Sequence, residues 1–348
     1  MSHPQPAAIA LSSSFASSSS SVPASAPPTG SAAAQATDLL RRACARFFSI
    51  PERGPSERLT LLYETAVAMH AFARAVTECE DAGLTRLELL PLLEGVRALH
   101  ARSPFVHRLQ TWPRGYPGDF ETVEWLCDAG NRAEADTVPW ALEQCALQSP
   151  LAQQHRNKVG LQARAILATL AAKPTARIAS IGCGGCRELS LIQDYVAKGR
   201  GSFTLIDADA GALDFARRRL GALKGRCEFV QGRVPRVLAK LRATGGFDLV
   251  VAGGLFDYLQ DRWAVATLNG ARELLAPGGR VFLSNIAAGN PFRPWIEYLA
   301  DWWLIERDES DLLRLLEQAG FDVARASVTR DSSGLALIAE APTPDAAR

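Results

Sequence analysis

The sequence predicts an α/β protein in which a mostly parallel sheet ends in one reversed strand and follows a helical N-terminal domain. Three observations support this fold class. Apolar residues recur at helical spacing from residue 38 to about 169. From about residue 173, short apolar strands alternate with helical segments, which implies a parallel sheet with right-handed crossovers. The last two predicted strands are joined by too few residues for a parallel crossover.

The N-terminal part of the chain separates into a tail and a helical cap domain. Residues 1–37 contain no Lys, Arg, Asp or Glu and consist largely of Ser, Ala and Pro, which predicts a disordered tail. In residues 38–169, apolar side chains such as Leu89, Leu93 and Val96 fall on one helical face. We expect four to six helices and no strand in this domain.

The remaining residues, 170–348, form the predicted sheet domain. Its first five strands span residues 177–181, 203–206, 228–231, 247–252 and 280–284. A helix is predicted over 310–319, and two further strands cover 322–329 and 335–341. Only residues 330–334 separate these two strands, so they form an antiparallel hairpin.

Composition excludes several classes of protein. The 348 residues are 47% hydrophobic and 22% charged, which are globular values. No run approaches the roughly 20 apolar residues of a membrane span. A net charge of +1 gives no global reason to bind nucleic acid. The seven cysteines are scattered and odd in number, which favours a reducing cytoplasm, and no His or Cys spacing predicts a metal site.

A glycine-rich loop follows the first predicted strand and opens a helix. Gly182 and Gly184 let the backbone turn tightly and approach a ligand. The nicotinamide fingerprint G-x-G-x-x-G/A fails at Arg187, which argues against that cofactor. Asp207 ends the second strand, where a carboxylate can accept hydrogen bonds from both ribose hydroxyls. The alternative is that Asp207 only caps the next helix.

These motifs resemble those of the class I S-adenosylmethionine-dependent methyltransferases. The resemblance covers residues 170 to 342 and rests on the terminal hairpin and on residues 179–185, 205–207, 247–251 and 275–280. It implies a Rossmann-like, seven-stranded sheet with S-adenosyl-L-methionine above the carboxyl ends of the strands. It also implies the cofactor-binding residues: Gly182 and Gly184 beside the methionine part, Asp207 at the ribose, Gly232 and Arg233 near the adenine, and Gly253 after the fourth strand.

A closer resemblance, over most of residues 100 to 310, is to bacterial proteins labelled as 3-hydroxypalmitic acid methyl ester biosynthesis proteins. It rests on residues 112–121 and 254–259, and on Asn290, Arg293, Glu297, Tyr298, Asp301 and Trp302. It implies a small-molecule methyltransferase, with carboxyl O-methylation of a fatty or other organic acid as the first choice. N-methylation of a small natural-product precursor is the alternative. A nicotinamide-dependent oxidoreductase and a non-catalytic cofactor-binding module are less favoured.

Candidate catalytic residues follow the fourth strand. Asp257 lies in an apolar context, and a buried carboxylate needs a partner. Tyr258 and Phe256 are expected to wall the cofactor or substrate, or else to pack in the core. The segment lacks the Asn/Asp-Pro-Pro-aromatic sequence of enzymes that methylate amino groups of nucleic acids. The expected partner is therefore a small molecule, and a homodimer is left open.

Two further segments supply candidates. Arg114 and Tyr116 lie in a polar, glycine-containing loop and are assigned to the cofactor. Arg114 would hold a carboxylate, either that of the cofactor or that of an acid substrate. The alternative is a turn in which Arg114 pairs with Asp119. Charged residues 155–158 are assigned a site role or a solvated helix face.

The aromatic segment 290–303 follows the fifth strand and carries the last two catalytic candidates. Arg293, Glu297 and Asp301 are expected to share one helical face. Arg293 would orient an acid, and Tyr298 or Glu297 would handle a proton. The alternative is a helix that packs on the cap domain through an ion pair.

Overall fold

The computed structural model describes residues 30–344. Their contacts divide the chain into two units. The first unit contains residues 30–119, 131–146 and 291–303, and the second contains residues 120–130, 147–290 and 304–344. The predicted domains meet at a single boundary, between residues 169 and 170. In the structure the chain instead passes between the units several times.

Seven α-helices precede the first strand in the described residues. They are α1 (Gly30–Phe48), α2 (Arg58–Asp81), α3 (Arg86–His100), α4 (Pro104–Thr111), α5 (Phe120–Asp128), α6 (Val138–Gln148) and α7 (Pro150–Ala172). The prediction of no strand here is confirmed for the described residues, whereas the expected four to six helices are too few. The short α4 and α5 span about two turns each, too little for apolar periodicity to reveal them.

Helix α1 begins within the segment predicted to be disordered. It starts at Gly30 rather than after residue 37, so the predicted tail is too long at its C-terminal end. The residues that precede Asp38 are rich in alanine, the residue with the highest helix propensity, and Ala36 is buried. The absence of charged residues was therefore a poor signal of disorder for residues 30–37. The rest of the predicted tail, residues 1–29, lies outside the described residues.

The second unit contains a seven-stranded sheet in the order β3-β2-β1-β4-β5-β7-β6. Its strands are β1 (Arg177–Ile181), β2 (Ser202–Asp207), β3 (Cys227–Gln231), β4 (Phe247–Ala252), β5 (Leu275–Ile286), β6 (Ser327–Arg330) and β7 (Ala336–Pro342). Strands β1 to β5 pair in parallel, and β7 is antiparallel to both β5 and β6. The predicted fold class, a Rossmann-like sheet with a reversed last strand, is confirmed.

Two strands begin five residues away from their predicted starts. Strand β6 begins only at Ser327, because the preceding residues form a 3-10 turn. The Asp322 side chain starts that turn by accepting a hydrogen bond from the Ala324 amide at 3.2 Å. Strand β5 begins at Leu275, before the predicted 280, and its pairing with β4 shifts register near Phe247.

The remaining helices follow the strands. They are α8 (Arg187–Leu191), α9 (Gln193–Lys198), α10 (Ala210–Arg219), α11 (Val234–Leu241), α12 (Asp261–Leu274), α13 (Arg293–Leu299) and α14 (Glu309–Gln318). Of these, α13 belongs to the first unit and the others to the second. In the described part of the chain, no helix combines the length and the hydropathy that crossing a membrane requires.

Helix α7 belongs to the sheet unit although the sequence assigned almost all of it to the cap. Its Ala165, Ile166 and Leu170 share a buried apolar cluster with β1 and β4 residues, including Ile178 and Leu249. Helices α11, α12 and α14 cover the opposite face of the sheet. Burial of this apolar stripe against the sheet explains why α7 is part of the second unit.

Candidate functional site

The site is built where the strand order of the sheet reverses. Strand β1 pairs with β2 on one side and with β4 on the other, and the chain continues outward from each. In open α/β sheets, ligands bind at the carboxyl ends of the strands at such a switch point. The loops that leave β1 and β4 face each other there, because a Cβ atom on Gly182 would lie 3.6 Å from Leu255 Cβ.

The loop after β1 needs glycine for its backbone conformation. Gly182 has φ +64° and Gly184 has φ +52°, a left-handed region that side chains disfavour. The Gly184 amide donates to Asp207 Oδ2 at 2.8 Å, and the Cys183 amide donates to the Ile206 carbonyl at 3.0 Å. These bonds hold the glycine loop against the end of β2.

Asp207 lies at the carboxyl end of β2 with part of its hydrogen-bonding capacity in use. Its Oδ1 accepts from the Asp209 amide at 2.9 Å, and its Oδ2 accepts from Gly184. A carboxylate offers about four lone-pair directions, so acceptor capacity remains for the ribose. Helix α10 is capped by Asp209, whose Oδ1 accepts from the Gly211 amide at 2.8 Å. The capping role that the sequence left open for Asp207 therefore belongs to its neighbour.

The loop after β3 joins the same edge. The Gly232 amide donates to the Asp207 carbonyl at 2.9 Å, and a Cβ on Gly232 would lie 2.8 Å from Val237 Cγ2. Arg233 is exposed and precedes α11. The structure thus brings together Gly182, Gly184, Asp207 and Gly232, and their assignment to individual parts of the cofactor stays a prediction.

These residues fit an S-adenosyl nucleoside, since a glycine cradle and a carboxylate with spare acceptor positions lie side by side. We expect Asp207→Ala and Gly184→Val each to weaken the binding of S-adenosylhomocysteine at least tenfold. The first variant removes the acceptor for the ribose, and the second places a β-branched residue at positive φ. Isothermal titration calorimetry measures the effect.

Matched variants control that measurement. Asp214→Ala removes an exposed aspartate that pairs with Arg217 on α10, and Gly221→Val fills open space. Both should bind S-adenosylhomocysteine like the unmodified protein. Unchanged affinity in the Asp207 and Gly184 variants would remove the site from this edge of the sheet.

A carboxylate on α5, which no sequence motif predicted, packs against the glycine loop. Glu124 accepts from Arg219 at 2.5 Å and from Arg187 at 2.7 Å. A Cβ on Gly185 would lie 2.6 Å from Glu124 Oε1, so this glycine makes room for the carboxylate. The two arginines therefore hold the Glu124 carboxylate in place beside Gly185 of the glycine loop.

Glu188, just after that loop, should make stability depend on pH. Burial raises the pKa of its carboxyl to about 7, above its ordinary value of 4.5. The folded protein then binds more protons than the unfolded chain between pH 4.5 and 7, so the free energy of unfolding falls as the pH rises through this window. In Glu188→Gln this fall should be smaller, as measured by urea denaturation at several pH values. Identical profiles would contradict the assignment.

An aspartate in the loop after β4 forms a buried ion pair with a lysine of α7. Lys158 Nζ of α7 donates to Asp257 Oδ2 at 2.8 Å, and only 2% of each side chain is exposed. Asp257 Oδ1 also accepts from the Ile286 amide at 2.6 Å. Lys158 is thus the partner that the buried Asp257 carboxylate was expected to need. Lys158, from the charged run 155–158, does not lie on a solvated face.

Gly253 and its neighbours complete this loop. The carboxamide of Gln162, one turn after Lys158 on α7, occupies the space beside Gly253, where a Cβ would lie 2.1 Å from its atoms. Ser284 Oγ donates to the Gly253 carbonyl at 2.8 Å. Phe256 is buried in the core, and Tyr258 is half-buried at the end of the same 3-10 turn.

Arg293 and Tyr298 lie in the first unit, where both contact Glu80 of α2. Tyr298 Oη donates to Glu80 Oε1 at 2.8 Å, and Arg293 pairs with Glu80 and, at 2.9 Å, with Glu297. Burial and the bond to Glu80 raise the pKa of Tyr298, which makes it harder to deprotonate. These contacts favour the structural alternative for the segment, and the catalytic roles stay predictions.

The prediction that Asp301 shares one helical face with Arg293 and Glu297 is wrong. Helix α13 ends at Leu299, and Asp301 follows it with φ +50°. Its carboxylate accepts from Arg86 at 3.0 Å and from Arg97 at 2.5 Å. Asp301 therefore anchors the end of the segment to α3.

Arg114 and Tyr116 also belong to the first unit, in the loop between α4 and α5. Both are half-buried, and Trp112 at the start of the loop has φ +44°. Asp119 accepts from Arg108 at 2.6 Å. The assignment of Arg114 and Tyr116 to the cofactor stays a prediction.

Comparison with known proteins finds a family match within the sheet unit. Residues 179–281 match a family model described as a methyltransferase domain. The match supports the prediction of an S-adenosylmethionine-dependent methyltransferase for this part of the chain. The match includes the glycine loop, Asp207 and the loop after β4.

A solved structure of a possible exported protein from Bordetella parapertussis is 20% identical, covers 90% of this chain and 97% of its own, and superposes with a TM-score of 0.52. Magnesium protoporphyrin IX methyltransferase from Synechocystis PCC 6803, solved with bound S-adenosylhomocysteine, is 16% identical, covers 56% of this chain and 87% of its own, and has a TM-score of 0.43. The first likeness supports the fold.

Among curated proteins, a highly reducing polyketide synthase, Preu5, from Preussia isomera is 26% identical over 140 residues, which cover 38% of this chain. The match spans only 6% of that synthase. The 3-hydroxypalmitic acid methyl ester subgroup stays a prediction.

Proposed function

We propose that this chain transfers a methyl group from S-adenosylmethionine to the carboxylate of a small organic acid, such as a fatty acid. The observation that carries the proposal is Lys158, a cation buried beyond the carboxyl end of β4, with its Nζ 2.8 Å from Asp257. A lysine ammonium has three donors, so donors remain for an acid after the bond to Asp257.

Charge balance favours a carboxylate acceptor. When bound, the cofactor supplies a methyl group on a positively charged sulfur. A carboxylate beside it offsets that charge in a site where the interaction is stronger than in water. Lys158 and Asp257 offset each other, so they provide hydrogen-bond donors without adding net charge.

The remaining task of the protein is to position the acid. A carboxylate is already nucleophilic and needs no general base. Lys158 would hold one carboxylate oxygen and leave the other free for in-line attack. Asp257, fixed by the Ile286 amide, would keep Lys158 in place and is a positioning residue in this scheme.

Incubation with methyl-labelled S-adenosylmethionine and panels of organic acids and small amines tests the proposal. We expect labelled methyl esters, which mild base hydrolyses, as detected by mass spectrometry. Label in a base-stable N-methyl product would establish the alternative, N-methylation of a small natural-product precursor. Label in neither class would refute both.

A further inference from the structure

The second unit has an open groove of about 600 Å³ between α7 and the segment formed by α8 and α9. Its walls include Arg164, Ala168 and Ala171 of α7 on one side and Leu191, Asp194 and Tyr195 on the other. We call it the α7 groove. The opposite stripe of α7 packs against β1 and β4, so the groove lies on the outer side of the helix. None of these residues belongs to the glycine loop or to the proposed acceptor site.

Large apolar side chains border the α7 groove in positions open to solvent. Leu191 is 60% exposed and Tyr195 is 54% exposed. Their neighbours Leu189 and Val196, by contrast, are buried in the core that α7 covers. Single apolar side chains are common on protein surfaces, whereas a cluster of them around a groove indicates a surface that a partner covers.

Two opposite charges flank these apolar side chains. Arg164 lies on the α7 wall of the groove, and Asp194 lies on the facing wall, in the first turn of α9. Both side chains are exposed, and within the described residues neither forms a hydrogen bond or an ion pair. They do not pair with each other although they border the same groove. The α7 groove thus presents one unused cation and one unused anion, with no net charge.

This charge pattern indicates which partner fits. A nucleic acid, an anionic membrane or an acidic protein is attracted by a surface of net positive charge, which the α7 groove does not offer. A second copy of this chain carries the same two charges in the same arrangement. Most homo-oligomers are two-fold symmetric, and in a two-fold interface each residue pair occurs twice with the subunits exchanged. The arginine and the aspartate can then both find partners on one self-complementary surface.

We propose that the α7 groove is the centre of a two-fold symmetric interface between two copies of this chain. Arg164 of each copy pairs with Asp194 of the other, so one contact used twice neutralises all four charges. Tyr195 of each copy enters the groove of the other, where the small side chains of Ala168 and Ala171 leave room for its ring. Burial of Tyr195 and Leu191 removes apolar surface from water and stabilises the dimer.

Sedimentation velocity of the full chain, together with two charge-reversal variants, tests the proposal. We expect the unmodified protein at micromolar concentration to have a mass of about 75 kDa, twice the 37.5 kDa of one chain. Arg164→Asp and Asp194→Arg each create two contacts between like charges, so each should raise the dissociation constant of the dimer at least tenfold. The circular dichroism of both variants should match that of the unmodified protein, because both side chains are exposed.

A mixture of the two variants tests the symmetry itself. One variant carries aspartate at both positions and the other carries arginine at both, so a mixed dimer has opposite charges at each of its two contacts. We expect the mixture to form dimers about as tightly as the unmodified protein. Arg236→Asp on α11 and Glu317→Arg on α14 are the controls. They reverse exposed charges on helices that cover the opposite face of the sheet, and both variants should stay dimeric.

Three results would overturn the proposal. The first is an unmodified protein that sediments as a monomer at micromolar concentration. The second is a dimer that persists in Arg164→Asp and Asp194→Arg, which would place the interface elsewhere. The third is a mixture of these two variants that stays monomeric, because the contacts would then not be reciprocal. All of these measurements are independent of the proposed methyl transfer.

Discussion

Lys158→Met is expected to lower the free energy of unfolding by about 3–5 kcal/mol. The substitution leaves the Asp257 carboxylate buried with no cation beside it, and the desolvation cost of that charge is then uncompensated. Urea denaturation followed by circular dichroism measures the loss. Methyl transfer to acids should fall as well, because Lys158 is the proposed donor to the acceptor.

A second lysine provides a matched control. Lys173 also lies 2.8 Å from an aspartate, Asp248, but 55% of its side chain is exposed. Exposed pairs contribute about 0–1 kcal/mol, so Lys173→Met should be nearly neutral. Equal losses at the two positions would show that burial of the Lys158 pair has no energetic consequence.

The double variant Lys158→Met/Asp257→Asn separates stability from function. It removes both charges and keeps an oxygen at position 257 for the Ile286 amide. Most of the lost stability should return, because no unpaired charge remains. Methyl transfer should stay low. Recovery of activity in this variant would mean that Lys158 only supports the fold.

Gly253→Ala is expected to cost about 1–3 kcal/mol of stability. The new Cβ would lie 2.1 Å from the carboxamide of Gln162, which is itself buried and donates to the Lys158 carbonyl at 3.2 Å. The carboxamide must therefore leave its position. In a Gln162→Ala background the same substitution should cost much less, since the clash has gone.

Gly254→Ala is the control for this cycle. It makes the same change one residue later, where a Cβ would meet nothing within 4 Å. Urea denaturation of the four variants and the unmodified protein gives the coupling energy between positions 253 and 162. A loss at 253 that does not depend on residue 162 would contradict the contact.

The sheet could be predicted because its determinants are local. Short apolar strands separated by helical periodicity require parallel crossovers, and the five-residue connection near Arg330 requires a reversed strand. The division into units could not be predicted, because it depends on which surfaces meet. Helix α7 has an apolar stripe of its own, and nothing local in the sequence says that the stripe covers β1 and β4.

The site residues likewise fall into two groups, those that local sequence patterns predict and those that depend on contacts distant in sequence. Glycine spacing and the end of β2 predicted Gly184 and Asp207, which the structure joins by a hydrogen bond. For Lys158 the sequence left both a site role and a solvated helix face open, because a run of charged residues usually lies in solvent. Its spacing of four residues from Gln162, beside apolar Val159, was the available signal. Gly253 was read only as a cofactor residue, because a contact with Gln162, distant in sequence, leaves no local pattern.

The segment 291–303 follows β5 and belongs to the first, helical unit. The chain before and after this segment belongs to the second unit, which contains the sheet. Arg86 and Arg97 in α3 therefore cannot form their ion pairs with Asp301 until most of the chain has emerged from the ribosome. The helical unit cannot complete its folding during synthesis ahead of the sheet. Truncation after residue 119 or 169 would leave these two arginines without their carboxylate, so neither cut yields an intact fragment for expression.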